Sequence, residues 1–228
     1  MHYYRHVTKQ NIANNPQEET HTSRPAIHIP LPDLLKSMLV DDWEWITKDL
    51  RLVPIPSAHP VASILADYEA VEAPRRRPGS AEADTIQEVV QGVREYFDKS
   101  LGRILLYRFE RQQWLECVTK INKDPSDPGA VRSVTLPATE DGRAEEVISM
   151  NLAGKTPSEI YGVEHLCRLF VSMPELIAQT NMDSQSVGVL REEMGRMTSW
   201  IGKNWRRYEA RGYVDPGEGY REKARGMN

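Results

Sequence analysis

Residues Asp33 to Leu50 read DLLKSMLVDDWEWITKDL, and the period of that stretch decides the fold class. Leu35, Leu39, Trp43, Ile46 and Leu50 recur three and four residues apart, the repeat of a helix with one face turned inward. On that wheel Trp43 lies on the apolar stripe, with Val40 on one flank and Trp45 on the other. Large aromatics serve equally well as core filler or as the wall of a partner's pocket, so their orientation bears on function. Asp41 and Asp42 are neighbours in sequence, but adjacent helical residues diverge by about 100°. They read as favouring the helix N-terminal half through its dipole or as bonding to nearby loops, not as a carboxylate pair.

Upstream, RPAIHIPLPDLL is an extended lead-in as far as Leu31, because each proline disfavours helix in the residue before it. Residues 1–23 are polar and irregular and read as a mobile tail. Downstream, VPIPSAHP marks a loop, and His59-Pro60 opens a short helix through Tyr68. APRRRPGSAEA reads as an exposed linker with a basic tip. Thr85 and Glu88 then offer a capping box, followed by Ile86, Val89, Val90, Val93, Phe97 and Leu101 on one face. Gly102 is expected to loosen this helix before ILLYRFERQQWLECV, which also reads as mostly helical. Residues 123–157 lack periodicity and are expected to be an insertion, with VRSVTLPA as a short strand inside it. Val163, Leu166, Leu169, Phe170 and Met173 form another helical face, interrupted at Pro174. A last long helix begins near Asp183 and carries Val187, Leu190, Met194, Met197 and Ile201, continued by Trp205 and Tyr208. The stretch from Arg211 is Gly-rich and charged and reads as a tail. The expected organisation is therefore a tail (1–23), one mostly helical domain around a single core (24–210) and a second tail (211–228).

Composition narrows the function. The chain has 228 residues, 39% of them hydrophobic, and a net charge of −4, which argues against a general binder of phosphate backbones. No apolar run approaches the roughly 18 residues needed to span a bilayer, so no membrane role is expected. Cys117 and Cys167 are the only cysteines, which fits a reducing intracellular compartment. Four of the six histidines fall in the tail and lead-in, and no H-E-x-x-H, paired C-x-x-C or P-loop occurs. No metal, cofactor or small-molecule substrate is expected.

His165 and Arg168 form an H-x-x-R with Tyr208 downstream, a pattern also used by DNA strand-transfer enzymes with a tyrosine nucleophile. Such enzymes need several cations around one phosphate and a basic DNA-facing surface, and this chain is acidic. The plainer reading has His165 and Arg168 pointing outward or bonding to nearby backbone, and no catalytic constellation remains. Arg75-Arg76-Arg77 with Arg206-Arg207 is the alternative, a nucleic-acid face, and a charge run at a loop tip is usually solvated.

LVDDWEWITKDLRLVPIP, SILADYEA, IQEVVQGVREYFDKSLGRILLYRFERQQW and IYGVEHLCRLFVSMPELI occur in this order and together resemble the MRG domain of mortality-factor-related chromatin proteins. The resemblance covers most of Arg24 to Tyr208 outside the insertion. It implies a single, orthogonally packed helical domain that is nuclear and non-catalytic. Its partners would be protein subunits of histone acetyltransferase and histone deacetylase complexes. Short segments, several of Phe-x-Leu-Pro type, would bind in an apolar groove. Carried over position by position, the partner-contacting residues are Leu31, Val40, Trp43, Tyr107 and Val171, with Ser172 where some relatives have Arg. Family members usually carry a methyl-lysine-reading chromodomain. The segment before Arg24 is too short for one, so that route to histone tails is not expected of this chain.

Overall fold

The computed structural model describes residues 28–122, 133–135, 146–148, 155–178 and 180–226; side chains are described to residue 116 and again from residue 155. Among these residues the architecture is helical, as the periodicity predicts. The expected tail (residues 1–23), most of the insertion and the side chain of Cys117 lie outside the description.

Helix α1 (Asp33–Thr47) buries Leu35, Met38, Asp42 and Ile46. The inward stripe is thus rotated from the sequence reading, with Met38 and Asp42 in and Trp43 out. The helix stops at Thr47. Lys48 and Asp49 donate to the Glu44 carbonyl, and Leu50 takes a left-handed φ of 53° that turns the chain away.

Helix α2 (Val61–Glu72) starts directly after Pro60 and runs one turn beyond Tyr68. Helix α3 (Ala81–Ser100) begins earlier than the Thr85 capping box implied. Ser80 is the cap, its hydroxyl accepting from the Ala83 N–H, while Thr85 bonds back to the Ala81 carbonyl inside the helix. Ile86, Val90, Val93, Phe97 and Leu101 are buried as the period requires. The loosening expected at Gly102 is a π-helical turn over Leu101–Leu105. A Cβ at Gly102 would lie 3.1 Å from Trp114 Nε1, so the indole packs closely over this turn. After a short 3₁₀ turn at Arg108–Glu110, helix α4 spans Arg111–Asn122. Within the insertion, strands β1 (Ser133–Thr135) and β2 (Glu146–Ile148) pair antiparallel, Val134 opposite Val147. The short strand expected in VRSVTLPA is therefore present.

Helix α5 (Val163–Ala178) continues through Pro174, against the expected interruption. Proline removes only one N–H from the ladder, and buried Met173 and Ile177 hold the final turns on the core. Helix α6 (Ser184–Tyr208) is capped by Asp183, which accepts from the Gln185 and Ser186 N–H groups. Its seam residues Met194, Met197, Ile201, Trp205 and Tyr208 are buried. One apolar core joins the lead-in to α1, α2, α3, α5 and α6.

The stretch after Arg211, which its composition marks as a tail, packs on the body. Val214 pairs with Leu52 in an antiparallel bridge. Helix α7 (Glu218–Arg225) sets Tyr220 against Leu52 and Phe109, and the Tyr220 hydroxyl donates to the Phe109 carbonyl at 2.5 Å. Low hydrophobicity concealed this element, since only Tyr220 and Ala224 face inward.

Candidate partner-binding surface

The seam between α1 and α5 contains a buried charge network. Arg168 bridges to Asp42 through Nε and Nη2, each at 2.9 Å. Its Nη1 donates to Glu110 at 2.6 Å and to the Leu105 carbonyl at 2.8 Å, and Nη2 reaches Glu110 again at 3.3 Å. All five guanidinium N–H groups are thereby engaged. Glu110 also accepts from the Tyr107 N–H and lies 2.9 Å from His165 Nε2, while Tyr213 donates its hydroxyl to Asp42 at 2.6 Å.

The protonation states follow from these contacts. Burial would raise the Glu110 carboxyl, but Arg168 and His165 outweigh it and hold the group at about 2. Burial works against the Arg168 charge, and Glu110 and Asp42 more than restore it. Burial, with Arg168 adding to it, lowers His165, so the ring is neutral near pH 7 and donates from Nε2. Arg168, Asp42 and Glu110 thus make their hydrogen bonds with one another and with their neighbours, a condition for keeping such groups out of water.

His165 and Arg168 do not point outward or serve only the backbone. They are interior parts of this network, Arg168 through its whole guanidinium and His165 through Nε2. Tyr208, the third residue of the strand-transfer pattern, is buried and donates its hydroxyl to Asp67. The basic tip is also partly tied down. Arg76 makes a bidentate pair with buried Glu193, Arg75 pairs with Glu72, and Arg207 pairs with Asp67.

Exposed apolar side chains stand on the two helices that carry the network. Val40 and Trp43 stand three residues apart on the outer flank of α1, 60% and 44% exposed. Val171, 57% exposed, lies one turn beyond Arg168 on α5, which packs on α1. The Tyr107 ring is half-buried, with the Arg168 guanidinium carbon 4.1 Å from its centre. Ser172 is also half-buried and donates its hydroxyl to the Arg168 carbonyl. Tyr107 and Ser172 thus touch Arg168, and Val171 lies a turn beyond it, while Val40 and Trp43 are exposed on α1, the helix that supplies Asp42. Leu31, in the lead-in before α1, is half-buried and packs against the core. Sequence reasoning missed Asp42, Glu110 and Arg168 as a unit. The available signal was that Asp42 falls in register with Leu35, Met38 and Ile46.

This is a mostly helical domain in which exposed apolar side chains stand on the helices that carry a buried, internally hydrogen-bonded charge network. The MRG family model matches residues 8–215, and the chain belongs to that family. It is 43% identical over 221 residues to the chromatin modification-related protein eaf3 of Emericella nidulans, covering 96% of this chain and 59% of that protein. The same identity and coverage hold for eaf3 of Aspergillus fumigatus. For EAF3 of Saccharomyces cerevisiae the identity is 35% over 178 residues, 78% of this chain and 37% of that protein. The chain thus spans less than two thirds of the length of these relatives. Among the described residues no helix is long and apolar enough to cross a membrane.

Proposed function

We propose that this domain is a nuclear, non-catalytic interaction module that joins protein subunits of histone acetyltransferase and deacetylase complexes. It would hold partner segments of Phe-x-Leu-Pro type on the surface formed by Val40, Trp43, Tyr107 and Val171. Ser172 lies beside them and Leu31 forms a more distant contact. The observation that carries this reading is the pairing of exposed apolar side chains with a buried network whose guanidinium is fully hydrogen-bonded within the domain. Covering these side chains takes no hydrogen-bond partner from Arg168, as a desolvated anchor site requires. The names of the relatives, chromatin modification-related proteins, supply the setting. The residues of the strand-transfer pattern are spent on internal bonds, which favours binding over catalysis.

Burying one Phe and one Leu anchor contributes roughly 3–6 kcal/mol before association costs. A stable complex therefore needs a second contact region beside the anchor. The test is calorimetric titration with a long Phe-x-Leu-Pro-containing peptide against the native chain and Trp43→Ala. Trp43 is exposed, so the variant is expected to keep its circular dichroism spectrum while binding at least about tenfold more weakly. Unchanged binding by the folded variant would move the site elsewhere. Full affinity from the isolated tetrapeptide would refute the two-part interface.

A further inference from the structure

Helix α1 has two flanks, and the anchor surface proposed above uses only one of them. On the other, Asp41 and Trp45 line a cleft of about 340 Å³ whose far side is formed by Trp205, Glu209 and Tyr213. Buried Glu164 contributes to the lining, and Arg51 is the one cation among the described residues that line it. The aromatic wall is held firmly. The Trp45 and Tyr213 rings lie 4.7 Å apart, the Tyr213 hydroxyl is fixed on Asp42, and the next residue, Val214, is bridged to Leu52.

The charges of this cleft are unspent, unlike those of the neighbouring network. Asp41 and Glu209 are exposed, and neither carboxylate has a hydrogen bond or ion pair among the described residues. Carboxylates beside indole and phenol faces form a site for an organic cation, because the ring quadrupoles and the acidic groups attract the same charge. A hard metal ion would find too few oxygens here: among the described residues no three acidic, His or Cys side chains converge as a metal site needs. Arginine and lysine combine an apolar stem for the Trp45 and Trp205 rings with a charged end for Asp41 and Glu209.

We propose that this cleft binds an arginine or lysine side chain presented by a partner protein segment. The site would give Trp45 a binding role separate from that of Trp43. It does not depend on the Phe-x-Leu-Pro reading, and its probes carry no apolar anchor.

The experiment is a titration of the ¹⁵N-labelled full chain at constant ionic strength with acetyl-Gly-Arg-Gly-amide and acetyl-Gly-Lys-Gly-amide. Acetyl-Gly-norleucine-Gly-amide is the uncharged control. The readout is the Trp45 indole N–H, assigned with Trp45→Phe. The cationic peptides are expected to produce a saturable shift with Kd in the order of millimolar, and the norleucine peptide none. The exposed double substitution Asp41→Asn/Glu209→Gln is expected to weaken binding about fivefold with the rest of the spectrum unchanged. An equal response to norleucine, no response to either cation, or full affinity in the double variant would overturn the proposal.

Discussion

Glu164 is the side chain whose charge is most at odds with its surroundings. It is 2% exposed and accepts from the Ala210 N–H at 2.7 Å, yet no cation pairs with its carboxylate among the described residues. Burial, with Asp42 adding to it, raises the group from 4.5 to about 7. A carboxyl that binds its proton more tightly when folded contributes stability that is full below the unfolded value. That contribution is lost as pH rises through the folded value. Glu110 runs the other way: held at about 2, its contribution is present above about 4.5 and lost as pH falls toward 2. His165, lowered by burial, also favours the folded state at higher pH and partly offsets Glu164 in the neutral range. The clean quantity is therefore the difference between the native chain and Glu164→Gln, which keeps an acceptor for Ala210. Native stability relative to the variant should fall by about 3 kcal/mol between pH 4.5 and pH 8. Urea melts across that range measure it, and parallel curves would mean that Glu164 titrates normally.

Secondary structure was legible wherever one period ran undisturbed, and its ends were legible only where local chemistry was unambiguous. Helix α3 shows both. Its buried face was read correctly from spacing, but its start was assigned to Thr85 because Glu88 stands three residues later. The chain instead begins the helix at Ala81, capped by Ser80. Ser80→Ala should then cost about 1 kcal/mol. Thr85→Ala should be neutral or slightly stabilising, since a hydroxyl bonded back to the Ala81 carbonyl gives way to a better helix former. Thermal melts of the two variants separate these starts, and a larger loss at Thr85 would restore the capping box. For α1 the difficulty was different. Leu39 and Trp43 gave as good a stripe as Met38 and Asp42, and hydrophobicity chose the wrong one. What turns Asp42 inward is Arg168, 126 residues away, a cause that no local window contains. The same network explains why Val40 and Val171 were legible as candidate contacts only through family resemblance.

Across the whole molecule, the stretch that sequence reading left loose braces the rest. Tyr213 secures Asp42, Val214 pairs with Leu52, and Tyr220 accepts the Gln113 N–H while covering Leu52 and Phe109. It is also one wall of the Trp45 cleft, whereas the proposed surface of Val40, Trp43, Tyr107 and Val171 includes none of its residues. Ending the chain after Gly212 therefore has a divided expected outcome. Removing the burial of Tyr213 and Tyr220 should cost about 4 kcal/mol, a fall in Tm of roughly 10 °C for a domain of this size. Binding of an arginine peptide should be lost with the cleft wall. Arg168 keeps both of its carboxylate partners, so a Phe-x-Leu-Pro-containing peptide should bind the shortened chain nearly as well as the native one at a temperature where both are folded. Calorimetry with the two peptides on native and shortened chains reads the three outcomes together. Loss of both affinities in a chain that still melts cooperatively would show that the two surfaces are coupled through Asp42 and do not act independently.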